Sequence, residues 1–389
     1  MMTDYSKWYS KFHEAHSDQL HLAAHSHHYW PDVTFQAHQQ YWLDSAKYVD
    51  DKWNYFFIEV LPATQKLIAQ NLDYSKPDQI VFAPNTHEFV YRLMSCLPNQ
   101  ARILSTDSEF YSFDRQIERV TEDGQVQCIK IPTLPLNGFE SRLIEKIRTE
   151  KFDMIFFSQV FFNSGYVVQN LDQIVQEIRQ HQSTDCIVVV DGYHGFMAVP
   201  TSLKAIEDRI FYLSGSYKYA QGGEGACFLM VPAGCQLRPQ YTGWFAGFTS
   251  LTNHQGNVAY SENGFRFAGA TMDYSAIYRL KSVLELFQSE GLSVAGIHQI
   301  VMKQQAEFIH LLGSGILSEI SIEQLICRED KSRGHFLAFD LKSQEICQKW
   351  HQRLKDAGIL TDYRKSVLRF GFGLHVTADQ IKNFISKLK

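Results

Sequence analysis

The sequence predicts an α/β protein: a large domain on a doubly wound, mostly parallel sheet, followed by a smaller α+β C-terminal domain. Three observations predict it. From about residue 60 to 232, short apolar runs rich in Val, Ile and Phe alternate with amphipathic stretches, the pattern of doubly buried strands and crossover helices. Near Tyr274 that alternation gives way to two long amphipathic segments and a strand–helix–strand–helix tail. A chain of 389 residues also exceeds the size at which one hydrophobic core keeps growing.

The strand candidates of the large domain are residues 80–83, 102–105, 126–131, 153–160, 186–190, 210–215 and 227–231. Their lengths and β-branched content fit buried strands. Between them, residues 86–96, 143–150 and 171–180 carry helical periodicity, and a helix-length segment separates the strands ending at 190 and starting at 210. Crossovers are expected to be right-handed, with the site along the carboxyl edge of the sheet. Residues 274–290 read as a helix stopped at Gly291, and 297–312 as another stopped near Gly313. A strand at 335–341, a helix at 345–356, a strand at 367–372 and a helix from Thr377 complete the chain. The expected division is an N-terminal arm over 1–58 with one helix at 32–48, a large domain over 59–272 and a small domain over 273–389.

One stretch concentrates the chemistry. Residues 186–196 read CIVVVDGYHGF and 210–231 read IFYLSGSYKYAQGGEGACFLMV. Asp191 ends the first apolar run, and Lys218 follows the second beside Gly222, Gly223 and Gly225. Taken singly, such an Asp is a helix cap and such a Lys a solvated loop charge. On consecutive buried strands the pair suits pyridoxal phosphate: the lysine binds the aldehyde as a Schiff base, and the carboxylate pairs with the pyridinium nitrogen. His194, three residues on, can bond Asp191 or the cofactor. Tyr217 can reach the phosphate or donate a proton.

The phosphate cradle is expected at Pro84-Asn85-Thr86, where a strand passes into a helix N-terminus that attracts a dianion; a plain Asn/Thr cap is the alternative. Phe110 either stacks on the cofactor ring or belongs to the core, and Ser112 either caps a helix or touches the cofactor. Arg369, bracketed by Leu368 and Phe370, needs an anion if buried and is the candidate clamp for a substrate carboxylate; Arg364 is its competitor and more surface-like. The run His25-Ser26-His27-His28 looks like a metal cluster but lacks completing acidic or Cys spacing, so no metal is expected.

These residues resemble the aminotransferase class V group of fold type I pyridoxal phosphate enzymes, and kynureninases most of all. The resemblance rests on DGYH (191–194), SYKY and its glycines (216–225), TGW (242–244), RGHF (333–336) and AGILTDYRKSVLRFGFGLHVTADQI (357–381), and runs from about Leu22 to the C-terminus. It implies Lys218 as the Schiff-base lysine, Asp191 as the pyridinium partner, His194 and Tyr217 around the cofactor, Thr86 at the phosphate, Phe110 on the ring and Arg369 at the substrate α-carboxylate. It further implies Trp244 near a subunit boundary, Thr271 reaching a neighbouring subunit's phosphate, and a homodimer with shared active sites. Departures fall on the substrate side. Ala268 and Gly269 replace a Ser-Asn pair, SAKYVDDKW lacks the expected His, Phe113 stands where an Asp is expected, and Gly373-Leu374-His375 replaces Pro-Leu-Tyr.

Composition sets the outer limits. With 45% hydrophobic and 20% charged residues the chain is globular, and a net charge of −5 without a long basic run argues against nucleic acid or an anionic membrane as partner. Seven cysteines without CxxC spacing fit a reduced, cytoplasmic protein. The expected activity is kynureninase-type hydrolytic Cβ–Cγ cleavage of kynurenine or a related amino acid. The alternatives are class V transamination or cysteine desulfuration, the latter with Cys327 as the candidate nucleophile. A cofactor-binding protein without turnover is the reading from a different class.

Overall fold

A computed structural model describes residues 4–250, 256–313 and 319–386 of the chain. The N-terminal arm carries α1 (Ser10–Ala15), β1 (Leu20–His21), α2 (Val33–Tyr48) and α3 (Lys52–Tyr55), and α4 (Leu61–Asn71) leads into the large sheet. Its elements are β2 (Ile80–Ala83), α5 (Thr86–Met94), β3 (Ala101–Thr106), α6 (Tyr111–Glu122), β4 (Val126–Ile131), α7 (Phe139–Thr149), β5 (Met154–Ser158), α8 (Leu171–His181), β6 (Ile187–Asp191), β7 (Phe211–Gly215) and β8 (Cys227–Met230). Then come α9 (Ser275–Ser289), α10 (Val294–Gly313), β9 (Phe336–Asp340), α11 (Gln344–Asp356), β10 (Ile359–Leu360), β11 (Asp362–Arg364), β12 (Val367–Gly371) and α12 (Ala378–Ser386).

The large sheet has strand order β2-β8-β7-β6-β5-β3-β4. Every neighbouring pair is parallel except those made by β8, which runs antiparallel to both β7 and β2. The expected mostly parallel, doubly wound sheet is present. Its central strands are buried on both faces because apolar side chains leave in both directions: Val188 and Val190 join one core, Val189 and Leu213 the other. A third core surrounds the antiparallel sheet β11-β12-β9. The short parallel pair β1–β10 forms a sheet of its own, and a parallel bridge from Ala23 to Gly371 at the end of β12 ties the arm to the small sheet.

Residues 192–210 differ from expectation. They form turns rather than a helix: Met197 takes a left-handed φ of 61° and Pro200 follows, and together they break a helix. A Cβ on Gly192 would lie 2.0 Å from the Tyr212 hydroxyl, and one on Gly195 would lie 2.1 Å from Gln159 Oε1. The arm is also more helical than the single helix expected. Pro62 lies within a continuous helical run from α3 through a π-helical turn at Phe56–Val60 into α4, and that wider turn is a local adjustment to the N–H and ring that proline imposes. Among the described residues, no helix is long and apolar enough to cross a membrane.

Candidate active site

Three strand ends and one loop meet at a cavity of about 320 Å³ along the carboxyl edge of the large sheet. Asp191 arrives at the end of β6 and Ser158 opposite it at the end of β5. Lys218 sits on the connection from β7 to β8. That loop is shaped by Gly223 and Gly225, with φ of 71° and 102°, values that favour glycine. Trp30 packs where a Gly223 side chain would stand. Ser216 Oγ donates to the Gly223 carbonyl at 2.5 Å.

The cavity brings together Asn85, Thr86, Phe110, Ser112, Asp191, His194, Tyr217, Lys218 and Arg369. Lys218 is buried, and its Nζ contacts His194 Nε2. The same Nζ stands 5.6 Å from the Phe110 ring centroid and 5.3 Å from that of Tyr193. Burial is the main cause holding the Lys218 pKa down, to about 7; Asp191 opposes that shift and Arg369 reinforces it. Asp191 is pushed the other way, up to about 6, again by burial. Its Oδ1 accepts the Tyr193 N–H at 2.8 Å. Both groups are thus moved toward their neutral forms by the same desolvation.

This donor set fits pyridoxal phosphate. Asp191 is a desolvated carboxylate whose ionised form a pyridinium would stabilise. His194 Nδ1 is buried without a protein partner. Phe110 is 45% exposed, so the aromatic face belongs to the cavity rather than to the core. At the opposite end, the Asn85 side chain accepts the Glu88 N–H at 3.0 Å and caps α5. The first-turn N–H groups of Thr86 and His87 therefore lie at a helix start, where intrahelical acceptors are lacking and an anion is favoured. The cap and cradle readings of Asn85 are compatible: its side chain caps, and the helix it starts lines the cavity. Ser112 does not cap α6, whose first residue follows Phe110 without a side-chain cap.

Two expected residues are not brought into this cavity by their own chain. Trp244 is 43% exposed and stacks on Phe245 at 4.2 Å. Thr271 lines a separate open groove with Arg92 and Tyr241. Gly269, in the Ser-Asn position of the resemblance, leaves space that Arg92 fills: a Cβ there would meet Arg92 Nη2 at 2.3 Å.

Arg369 lies in the cavity wall at 3% exposure, but its anion is internal. Asp362, its direct cross-strand partner on β11, takes Nε and Nη2 at 2.8 and 2.5 Å. His25 Nε2 donates to the same carboxylate at 2.8 Å. Together His25 and Arg369 hold Asp362 well below the usual carboxylate range despite its burial. Arg364 reaches the cavity rim and stays half exposed, 3.8 Å from Asp362.

Sequence reasoning missed His25, His27, Asp362 and Phe162. The histidines were visible as a cluster, but their place in the wall depends on β1 pairing with β10 and on Ala23 bridging to Gly371. Asp362 did leave a signal: Asp362 and Arg369 sit at matching distances from the Lys365-Ser366 turn, as cross-strand ion pairs do. Glu109 lies beneath the floor, accepting from Thr106 Oγ1 and Ser158 Oγ, both at 2.6 Å. Burial lifts its pKa to about 8. No group of metal-ligating side chains occurs among the described residues.

No functionally curated protein matches the sequence. Among solved structures, the cystine C–S lyase C-DES in complex with its reaction product cysteine persulfide superposes with a TM-score of 0.81, at 18% identity, over 96% of this chain and 98% of that one. A C-DES mutant with glycine covalently linked to its pyridoxal phosphate cofactor gives 0.82 at 18% identity, over 98% of both chains. The Escherichia coli cysteine desulfurase CsdA gives 0.77 at 14% identity, over 100% of this chain and 98% of that one. At these identities the likeness is one of fold. The sequence itself matches the aminotransferase class V family over residues 29–384. The chain therefore belongs to the aminotransferase class V family of pyridoxal phosphate enzymes.

Proposed function

We propose that the protein is a carbon–sulfur lyase that cleaves the Cβ–S bond of a cystine-like amino acid and releases the sulfur product to solution. One observation carries this reading: the cavity wall holds two guanidiniums, Arg369 and Arg364, and none of the seven cysteines. A desulfurase that passes sulfur to its own thiol needs a reactive cysteine near the substrate. Cys327, the candidate from sequence, is buried, donates to Ser332 O at 3.1 Å, and has its pKa pushed up to about 11 by burial. A cystine-like substrate carries two carboxylates, and the deep and rim arginines, which share the single Asp362 carboxylate, each keep N–H donors beyond that contact. The C-DES likeness supports the same chemistry.

When bound, pyridoxal phosphate supplies an electron sink for negative charge at the substrate Cα. The chain's own groups do the rest. With a pKa near 7, Lys218 Nζ can accept the Cα proton at neutral pH. His194 Nε2, in contact with Lys218 Nζ, orients that amine. Tyr217, whose hydroxyl is hydrogen-bonded to His27 Nε2 at 3.3 Å, is the group assigned to give a proton to the leaving group. Phe110 and Phe162 wall off the reacting side, their rings 5.6 Å apart. Overall, cystine and water become pyruvate, ammonia and cysteine persulfide, the Cβ–S bond being the one broken.

Kynureninase-type hydrolysis is the second reading, supported by the 357–381 resemblance and by an aromatic wall that suits an aryl side chain. Purified protein loaded with pyridoxal phosphate, given L-cystine and L-kynurenine separately, distinguishes them. Pyruvate with persulfide from cystine supports the lyase. Anthranilate with alanine from kynurenine, and nothing from cystine, replaces it with the second reading.

A further inference from the structure

Arg369 is the most heavily engaged cation of the cavity. Its Nε and Nη2 form a side-on fork with Asp362, and Nη1 donates to the Phe162 carbonyl at 2.6 Å. A guanidinium has five N–H donors in one plane. These bonds use one on each nitrogen, leaving one on Nη1 and one on Nη2. Since the side-on fork spends the Nη2 hydrogen beside Nε, the spare one lies on the Nη1 side. Asp362 is itself fixed. Register sets it opposite Arg369, and His25 Nε2 holds Oδ1. The His25 ring is stacked 4.8 Å from Phe336, against a Gly371 that leaves no room for a side chain.

We infer that Asp362, held in place by His25, is a positioning residue for substrate recognition: it fixes the Arg369 plane so that the end carrying the spare Nη2 hydrogen is the one offered to the substrate α-carboxylate. This rests on the reading of Arg369 as the carboxylate clamp. The opposite role, in which Asp362 competes with substrate for Arg369, predicts the opposite result on removing its charge.

The test compares wild type, Asp362→Asn, His25→Gln and Arg369→Leu, all loaded with pyridoxal phosphate. Each is titrated with L-alanine and with L-alaninamide, which keeps the amine but lacks the carboxylate, and affinities are read from the visible absorbance of the bound cofactor. Asp362→Asn is expected to lose about tenfold of the preference for alanine over the amide, the worth of a charge-assisted contact, with affinity for the amide unchanged. A general structural defect would weaken both ligands alike and would overturn the inference. His25→Gln is expected to lose a smaller part in the same direction. A kept or enlarged preference in Asp362→Asn overturns the positioning role. If that variant does not fold, an unchanged preference in His25→Gln overturns it instead. Arg369→Leu separates the two ideas. If it retains the preference, the clamp reading falls with this one; if it abolishes the preference while Asp362→Asn keeps it, the positioning role alone falls.

Discussion

Lys218→Met isolates the energetic consequence of burying an amine at the floor of the cavity. In the folded chain burial lowers the Lys218 pKa from 10.5 to about 7, so the folded state releases its proton first. From this group, stability therefore rises with pH between about 7 and 10.5, because the unfolded chain holds the extra proton there. The gap is worth about 5 kcal/mol at 1.36 kcal/mol per pH unit, of which about 4 is felt at pH 7 and about 1 remains at pH 10. Methionine fills similar space with no proton to lose. Cofactor-free Lys218→Met is expected to be more stable than wild type by about 4 kcal/mol at pH 7, and the advantage shrinks to about 1 kcal/mol at pH 10. Urea unfolding of both proteins at the two pH values measures this, and tyrosine and cysteine titrations common to both cancel in the difference. A difference independent of pH, or a variant less stable at pH 7, refutes the assignment of Lys218 as a desolvated, readily neutralised amine.

Asp191→Asn should weaken pyridoxal phosphate retention by about tenfold or more, since a charge-assisted contact to the ring nitrogen is lost; equilibrium dialysis measures it, and unchanged retention removes Asp191 from the site. Gly269→Ala should displace the Arg92 guanidinium from Glu88, its 2.5 Å partner, at a cost of about 1 kcal/mol. Arg92→Leu in that background should then add less than it does alone, and full additivity counts against the contact. Gly192→Ala should destabilise the protein by about 1–3 kcal/mol, because the new methyl overlaps the fully buried Tyr212; a neutral substitution would mean that the turn after β6 yields easily.

What sequence made legible follows the range of the interactions involved. The parallel strands were readable because burial on both faces leaves continuous apolar runs, as in Ile187–Asp191 and Phe211–Gly215. Asp191, Lys218 and the start of α5 were readable because strand ends place them along one edge. The 192–210 turns were only partly so: Gly192, Gly195 and Pro200 are local breakers, but the left-handed φ of Met197 leaves no mark in a residue type that rarely adopts it. Phe110 was ambiguous because its sequence context fits a core residue, and only the packing of Phe162 and Lys218 beside it exposes its face. The His25–Asp362–Arg369 array spans the arm and the small sheet, so its histidine could not be assigned before β1 was known to lie beside β10. Family resemblance puts Trp244 and Thr271 at a subunit boundary, and within one chain they stand apart from the cavity.

The central claim is that sulfur leaves this site without passing through a thiol of the protein. Intact-protein mass recorded during turnover of L-cystine, alongside the persulfide content of the solution, tests it most directly. Persulfide in solution and a protein whose cysteines carry no added sulfur are expected. Sulfur bound to a protein cysteine at a level that tracks turnover would contradict it, and would require a reactive thiol to reach a cavity whose wall contains none.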